Sequence, residues 1–374
     1  MNKIARKLLI VAVMVAVVAS LAACNKDTKQ TQIDEPVKAQ GITLTSTRLL
    51  MTKDAQTTLT YTVDPQERKG DVSFETSDEG VAEISSDGVV TAKGTGVATL
   101  KVKADDKYAE CRVVVGDLIV SKQSEKTAQA TDNATEDGDN TRQTQDKTTI
   151  VGSGNKVYGS LPQGVEHAEA GQTVLIDEGN YDERITLNKN LSLVGINNPS
   201  IAGITVTSGK ATLVNLAFSA TDYPDEGTAS VHIKSGASAE ITDCFFNIVK
   251  EGEPQGGYAV LADKMSGGLK MENNTLSNYR YGIYVCPTDQ EITIRQNRLS
   301  GMSVGIGVDL RQQNTDRDLP TRGSISGNQY NEVERHTQFL HYAETYDGDL
   351  DFEDNEEENA SNGQSDTGGS GLLE

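Results

Sequence analysis

The residues with chemistry to offer fall into two columns. Five short segments with apolar ends recur along the C-terminal half: Ile204-Thr-Val206, Val231-His-Ile233, Val260-Leu-Ala262, Ile283-Tyr-Val285 and Ile306-Gly-Val308. If each is a strand with its apolar residues inward, the alternate residues face outward. One outward column then holds His232, Leu261, Tyr284 and Gly307, and the next holds Lys234, Asp263, Cys286 and Asp309. Strands stacked ~4.8 Å apart put Asp263 and Asp309 ~10 Å apart across Cys286. That lies just beyond the ~6.5–9.5 Å carboxylate separation of inverting glycosidases. A tyrosine ring among hydrogen-bonding charges suits a hydroxyl-rich polymer better than an apolar small molecule, which needs a lined cavity. The candidate ligand face is therefore His232, Lys234, Asp263, Tyr284 and Asp309, with Tyr284 exposed, and no residue is assigned a catalytic role.

Other chemistries find little footing. The four His (167, 232, 336, 341) and Cys111, Cys244 and Cys286 lack the short paired spacings of a zinc site, so no metal site is expected. Cys111 reads as core, and an odd set of three argues against a structural disulfide. The run 347–358 has acids at positions 1, 3, 5 and 12 of a calcium loop but lacks Gly at position 6, where that loop turns. It fits better as a last coil with an acidic cap. There is no phosphate-binding glycine loop.

These columns need a repeating scaffold to hold them. Leu213-Val-Asn-Leu-Ala-Phe218, Ile241-Thr-Asp-Cys-Phe-Phe246, Met271-Glu-Asn-Asn-Thr-Leu276, Ile294-Arg-Gln-Asn-Arg-Leu299 and Ile325-Ser-Gly-Asn-Gln-Tyr330 align without gaps, and Phe352-Glu-Asp-Asn355 continues them. Two strand sets repeating every 20–31 residues indicate a β-solenoid. Asn274, Asn297, Asn328 and Asn355 then stack as a structural ladder, with Cys244 in the same column. Asn tolerates left-handed backbone at a corner, and its side chain can bond neighbouring coils. Phe218, Phe246, Leu276, Leu299 and Tyr330 form an apolar stack beside it.

The stretch Ala168-Glu-Ala-Gly171-Gln-Thr-Val-Leu-Ile176, Glu178-Gly-Asn-Tyr181-Asp-Glu-Arg-Ile-Thr-Leu187 and Leu191-Ser-Leu-Val-Gly195 resembles the opening of the pectin-lyase-like superfamily, with Gln172 where Asp is common. The resemblance implies a right-handed parallel β-helix over 151–358. Fold likeness alone does not carry activity. Lyases of that superfamily use an R-x-P-x-x-R signature, whereas Arg317-Asp-Leu-Pro-Thr-Arg322 has the residue types at another spacing. An enzyme, a polysaccharide lyase or glycoside hydrolase, is therefore the alternative reading. No cofactor is expected, calcium entering only under that alternative.

Residues 41–116 alternate as short strands separated by turns at Asp64-Pro65, Ser86-Asp87-Gly88 and Lys93-Gly94-Thr95-Gly96. Phe74, Thr76-Ser77-Asp78, Val81-Ala82, Gly88-Val89, Ala92 and Gly96-Val97-Ala98 resemble the pattern of the bacterial Ig-like domain of group 2, with Phe74 where Trp is usual. That family implies a surface spacer or adhesion module. Between the two folded parts, residues 121–148 contain no Val, Ile, Leu, Met or aromatic residue. Such a stretch cannot offset its ordering entropy, so 117–150 reads as a disordered linker. The last residues, 359–374, read as a disordered tail.

At the N-terminus, Lys3, Arg6 and Lys7 precede an apolar run, Leu8 to Ala19, and then Leu21-Ala-Ala-Cys24. This describes a secretory signal over 1–23, and the last four residues resemble the bacterial lipobox. The resemblance implies lipidation at Cys24, a bilayer as partner, and a tether over 24–40. The net charge, −21 from 34 basic and 55 acidic residues, argues against a nucleic-acid partner. The expected organisation is all-β: an Ig-like sandwich, then a β-helix, held at the outer side of a membrane. A polysaccharide or other surface ligand is the expected soluble-side partner.

Overall fold

A computed structural model describes residues 37–67, 70–122, 148–220, 229–248, 257–264, 267–311, 321–340, 350–353 and 355–357. The signal, Cys24, Arg317 and the tail lie outside the described residues, as does most of the linker.

The fold is all-β: an Ig-like domain followed by a parallel β-helix. The Ig-like part is antiparallel where alternation is cleanest. Strand Gly96–Ala104 buries Ala98, Leu100, Val102 and Ala104 while its other residues stay accessible, and it pairs with Lys107–Gly116 along its whole length. The core collects Leu49, Met51, Val90, Leu100, Cys111, Val113 and Val115. Phe74 occupies the tryptophan position and meets Tyr61 edge-on at 5.6 Å. Gly88, at φ 76°, turns beneath that ring, where a Cβ would come within 3.3 Å of it.

In the β-helix, one sheet stacks ten strands in parallel: Val157–Tyr158, Leu118–Val120, Thr173–Ile176, Leu191–Gly195, Gly209–Val214, Ala237–Thr242, Leu269–Glu272, Glu291–Arg295, Arg322–Ser326 and Leu350–Glu353. A second sheet splits after Ser200–Val206. One arm carries Ala217–Ala220, Phe245–Ile248 and Thr275–Ser277; the other carries Ala229–Ile233, Tyr258–Ala262 and Tyr281–Val285. The arms rejoin in two twelve-residue strands, Arg298–Asp309 and Gln329–Leu340. The short helix Leu161–His167 closes the N-terminal end, burying Leu161 and Val165. Its Gly164 passes so close to the first coil that a Cβ would meet Val120 at 2.3 Å.

Parallel stacking places equivalent side chains in rows, so like charges in adjacent coils would repel. On the outer face of the ten-stranded sheet the signs alternate instead. Glu240 takes Lys210 at 2.8 Å and Lys270 at 3.2 Å, Lys270 also reaches Glu272 at 2.8 Å, and Arg295 closes the row on Glu272.

Inside, Asn274, Asn297 and Asn328 are buried in one column. Each Nδ2 donates to a carbonyl one coil back, from Asn274 to Ile241, Asn297 to Met271 and Asn328 to Ile294. Each Oδ1 accepts the backbone N–H of the column residue before it, so Cys244 donates to Asn274, Asn274 to Asn297, Asn297 to Asn328 and Asn328 to Asn355, at 2.9–3.1 Å. The expected left-handed backbone is not at these Asn. It falls one residue earlier, at Asn215 (φ 55°), Asp243 (54°), Asn273 (57°), Gln296 (56°) and Gly327 (63°). The turn is made by the residue pointing out, which leaves the next side chain aimed into the core. Phe218 and Phe246 stack at 4.7 Å, in register with Leu276, Leu299 and Tyr330.

The linker expected at 117–150 is narrower at both ends. Leu118–Val120 already belongs to the β-helix, between Val157–Tyr158 and Thr173–Ile176. Thr148–Val151 runs back to the Ig-like part and pairs in parallel with Arg48–Thr52. The chain therefore crosses the junction three times. Leu50, Val114, Ile119, Leu175 and Ile196 form one buried cluster there, flanked by Ile150 and Val157. Gly116 lies against Leu175, where a Cβ would be 2.5 Å from its Cγ. Both strands are short and mostly β-branched, and hydrophobic burial across the junction fixes them.

Candidate functional site

The second arm of the split sheet carries the site. Its strands Ala229–Ile233, Tyr258–Ala262, Tyr281–Val285 and Arg298–Asp309 are in parallel register, which aligns Thr205, His232, Leu261, Tyr284, Gly307 and Gln338 in one row. The neighbouring row follows from the same register: Lys234, Asp263, Cys286 and Asp309 each come directly after the aligned residues Ile233, Ala262, Val285 and Val308. Inward, Val231, Val260, Ile283 and Ile306 are buried, which locks the rows on a rigid wall.

Within the rows the charges pair locally. His232 Nε2 lies 3.1 Å from Asp263 Oδ2, and Lys234 Nζ lies 3.8 Å from the same oxygen. Arg311 grips Asp309 with two bonds, Nε to Oδ1 at 3.0 Å and Nη2 to Oδ2 at 3.1 Å. Cys286 sits between the two carboxylates, and burial with their charges pushes its thiol up to about 11. It is held as the thiol, not the nucleophilic thiolate. Both oxygens of Asp309 are occupied by the guanidinium fork, a poor arrangement for a general acid or base. Among the described residues no group of three metal-ligating side chains could hold a metal ion.

Tyr284 is half-buried, not exposed as its outward position implied. Its ring lies on Gly307 of the next coil, where a Cβ would stand 2.7 Å from Cδ2. Burial, followed by the charge of Asp309, pushes its phenol well up. It is one of three tyrosines. Tyr258 and Tyr281 stack at 4.9 Å with 19° between their planes, and Tyr284 meets them edge-on at 5.5 and 5.6 Å. The Arg280 guanidinium lies 5.5 Å from the Tyr281 ring centre. Tyr258 and Tyr281 were not singled out in the sequence. The signal was present, since each opens a strand of the second set and they pair in register one coil apart.

Burial pulls the His232 imidazole below its ordinary value, with Asp263 opposing. Its folded pKa is thus below the unfolded value of ~6.5. The unfolded chain then binds more protons, so stability is fully present above pH ~6.5 and is lost as pH falls toward the folded pKa. His232→Asn should flatten this part of the acid-side loss of melting temperature. An unaltered pH profile would show that His232 charges as readily folded as unfolded.

Residues 38–113 match the family model of the bacterial Ig-like domain (group 2). A comparison with curated proteins finds no match.

Proposed function

We propose that the protein is a lipid-anchored surface protein whose β-helix binds a neutral polysaccharide across the outer face bearing Tyr258, Tyr281 and Tyr284. The single observation behind this reading is that cluster of three rings beside two ion pairs that each neutralise themselves. Aromatic rings offer flat apolar area to a sugar face, and the paired side chains His232–Asp263–Lys234 and Arg311–Asp309 offer hydrogen bonds without net charge. The Ig-like match supports a spacer role at a cell surface, and the lipobox resemblance supports anchoring at Cys24. The opening motif of 168–195 supports kinship with the pectin-lyase-like superfamily. Among the described residues no helix is long and apolar enough to cross a membrane.

The test is a titration of the full chain with neutral and uronic-acid oligosaccharides, with and without calcium, scoring binding and release of unsaturated products. Saturable binding of a neutral oligosaccharide is expected, weakened about fivefold by Tyr281→Ala, since a ring contact contributes ~1 kcal/mol. No binding to any glycan, or binding indifferent to Tyr281→Ala, would remove this reading. Product release abolished by Asp263→Asn or Asp309→Asn would replace it with the lyase or hydrolase reading.

A further inference from the structure

A concave surface lies at a different corner of the coil, where the ten-stranded sheet turns into the first arm of the split sheet. It is a half-open groove of about 590 Å³, and its lining includes Asn273, Thr275, Gln296, Arg298, Gly327 and Gln329. That volume is within the ~300–1,000 Å³ of small-ligand sites. It is separated from the tyrosines by the bend at Asn278 and Gly301, both at positive φ.

The corner geometry creates it. Asn273, Gln296 and Gly327 are the left-handed residues that aim the Asn ladder inward. Their own positions therefore face out, as two amides in successive coils followed by a residue with no side chain. On the adjoining strands Phe245, Thr275, Arg298 and Gln329 stand in one register row, ~4.8 Å apart from coil to coil. Phe245 is 44% exposed. A single exposed ring is ordinary; this one shares a row with the groove's only cation among the lining residues. Gln329 Oε1 accepts from Arg298 Nε at 3.0 Å. That bond engages Nε and does not use the two terminal nitrogens of the guanidinium. A planar fork of this kind suits a carboxylate, which can accept two parallel bonds.

The amides set the rest of the chemistry. Asn273, Gln296 and Gln329 each carry both donor and acceptor atoms, which matches a secondary amide as well as hydroxyls. We propose that this groove binds a glycan whose units carry both an N-acetyl group and a carboxylate. The carboxylate sits on the Arg298 terminal nitrogens, the N-acetyl amide bonds the Asn273 and Gln296 side chains, and a sugar face rests on Phe245. The chain lies along the solenoid axis, where one coil rise approximates one sugar unit. This site is independent of the tyrosine face.

Three disaccharide probes separate the requirements, titrated into the full chain at physiological salt, where charges beyond ~8 Å are screened. The probes are N-acetylglucosaminyl-N-acetylmuramic acid, N,N′-diacetylchitobiose (N-acetyl without carboxylate; chitobiose below) and digalacturonate (carboxylate without N-acetyl). The first should bind, and each of the others should bind about tenfold more weakly, the loss of one charge-assisted pair, or of the two amide bonds, being worth roughly that factor. Arg298→Gln should erase the preference over chitobiose, Arg298→Lys should lose most of it, and Phe245→Ala should weaken binding about fivefold. Both positions are on the surface, so these substitutions should leave the melting temperature in place. Tyr281→Ala should leave this binding unchanged. No saturable binding of the first probe overturns the proposal. So do digalacturonate binding as tightly, Arg298 variants that fold normally and keep the preference, or loss of binding on Tyr281→Ala.

Discussion

Asn297→Leu should lower the melting temperature of the full chain by about 10 °C. The substitution keeps the γ-branched shape, with methyl groups bulkier than the amide, and removes every polar contact of a fully buried side chain. Asn274 then has a backbone N–H, and Met271 a carbonyl, that lose the partners they have in the folded chain. Each such orphaned group costs ~1–3 kcal/mol, and ~1 kcal/mol moves the midpoint by ~2–4 °C in a chain part of this size. Calorimetry on the full chain is the appropriate measurement. A fragment beginning at residue 151 lacks Leu118–Val120, which lies between two strands of the same sheet. Thr293→Ala, in a partly accessible outer row, is the control and should shift the midpoint little. A change within ~1 °C for Asn297→Leu would mean that the ladder carries no stability.

Cys24→Ser should convert the protein from membrane-retained to released. The expectation rests on Leu21-Ala-Ala-Cys24 after a charged start and an apolar run too short to span comfortably. Serine offers no sulfur for a thioether-linked diacylglyceryl group. With one acyl chain membrane binding is marginal, and with two or more it is stable, so loss of lipidation is nearly all-or-none. Labelled fatty acid and fractionation read it directly. Label incorporated into the serine variant, or full retention without label, contradicts anchoring at this position.

The legible parts of the fold were those repeated many times or patterned without a break. The Asn column could be read from four coils because one buried polar position recurs at the same distance from two apolar ones. The strands of the Ig-like part could be read from alternation, as in Gly96–Ala104. The strand exchange was not legible. Leu118–Val120 and Thr148–Val151 are three and four residues long and border a polar stretch, so composition averaged over a window assigns them to it. Their partners are set by burial around Leu50, Ile119 and Leu175, a relation between distant segments that no local pattern encodes. At the candidate site, the rows could be deduced from period two, but side-chain direction could not. Outward placement suggested an exposed Tyr284, whereas the absence of a side chain at Gly307 lets the ring lie down on the next coil. Arg311 was missed because its partnership with Asp309 depends on a local turn at the strand end, in which the Arg311 backbone N–H donates to Asp309 Oδ1.

The threefold crossing of the junction also orders events in time. As the chain emerges from its N-terminus, the strand Arg48–Thr52 is complete long before residues 148–151 exist to cover its outer edge. An unpaired edge is a template for wrong partners, including the same edge of another nascent copy. Residues 53–116 build the rest of the Ig-like part, and those that emerge after Val120, 121–148, contain no Val, Ile, Leu, Met or aromatic side chain and so compete poorly for that edge. The first such residues after Val120 are Ile150 and Val151, and these two pack against the junction and the Ig-like core. The polar stretch thus works as a timed silence in the sequence: once Val120 has emerged, nothing adhesive follows from the same chain until the strand that belongs on that edge arrives.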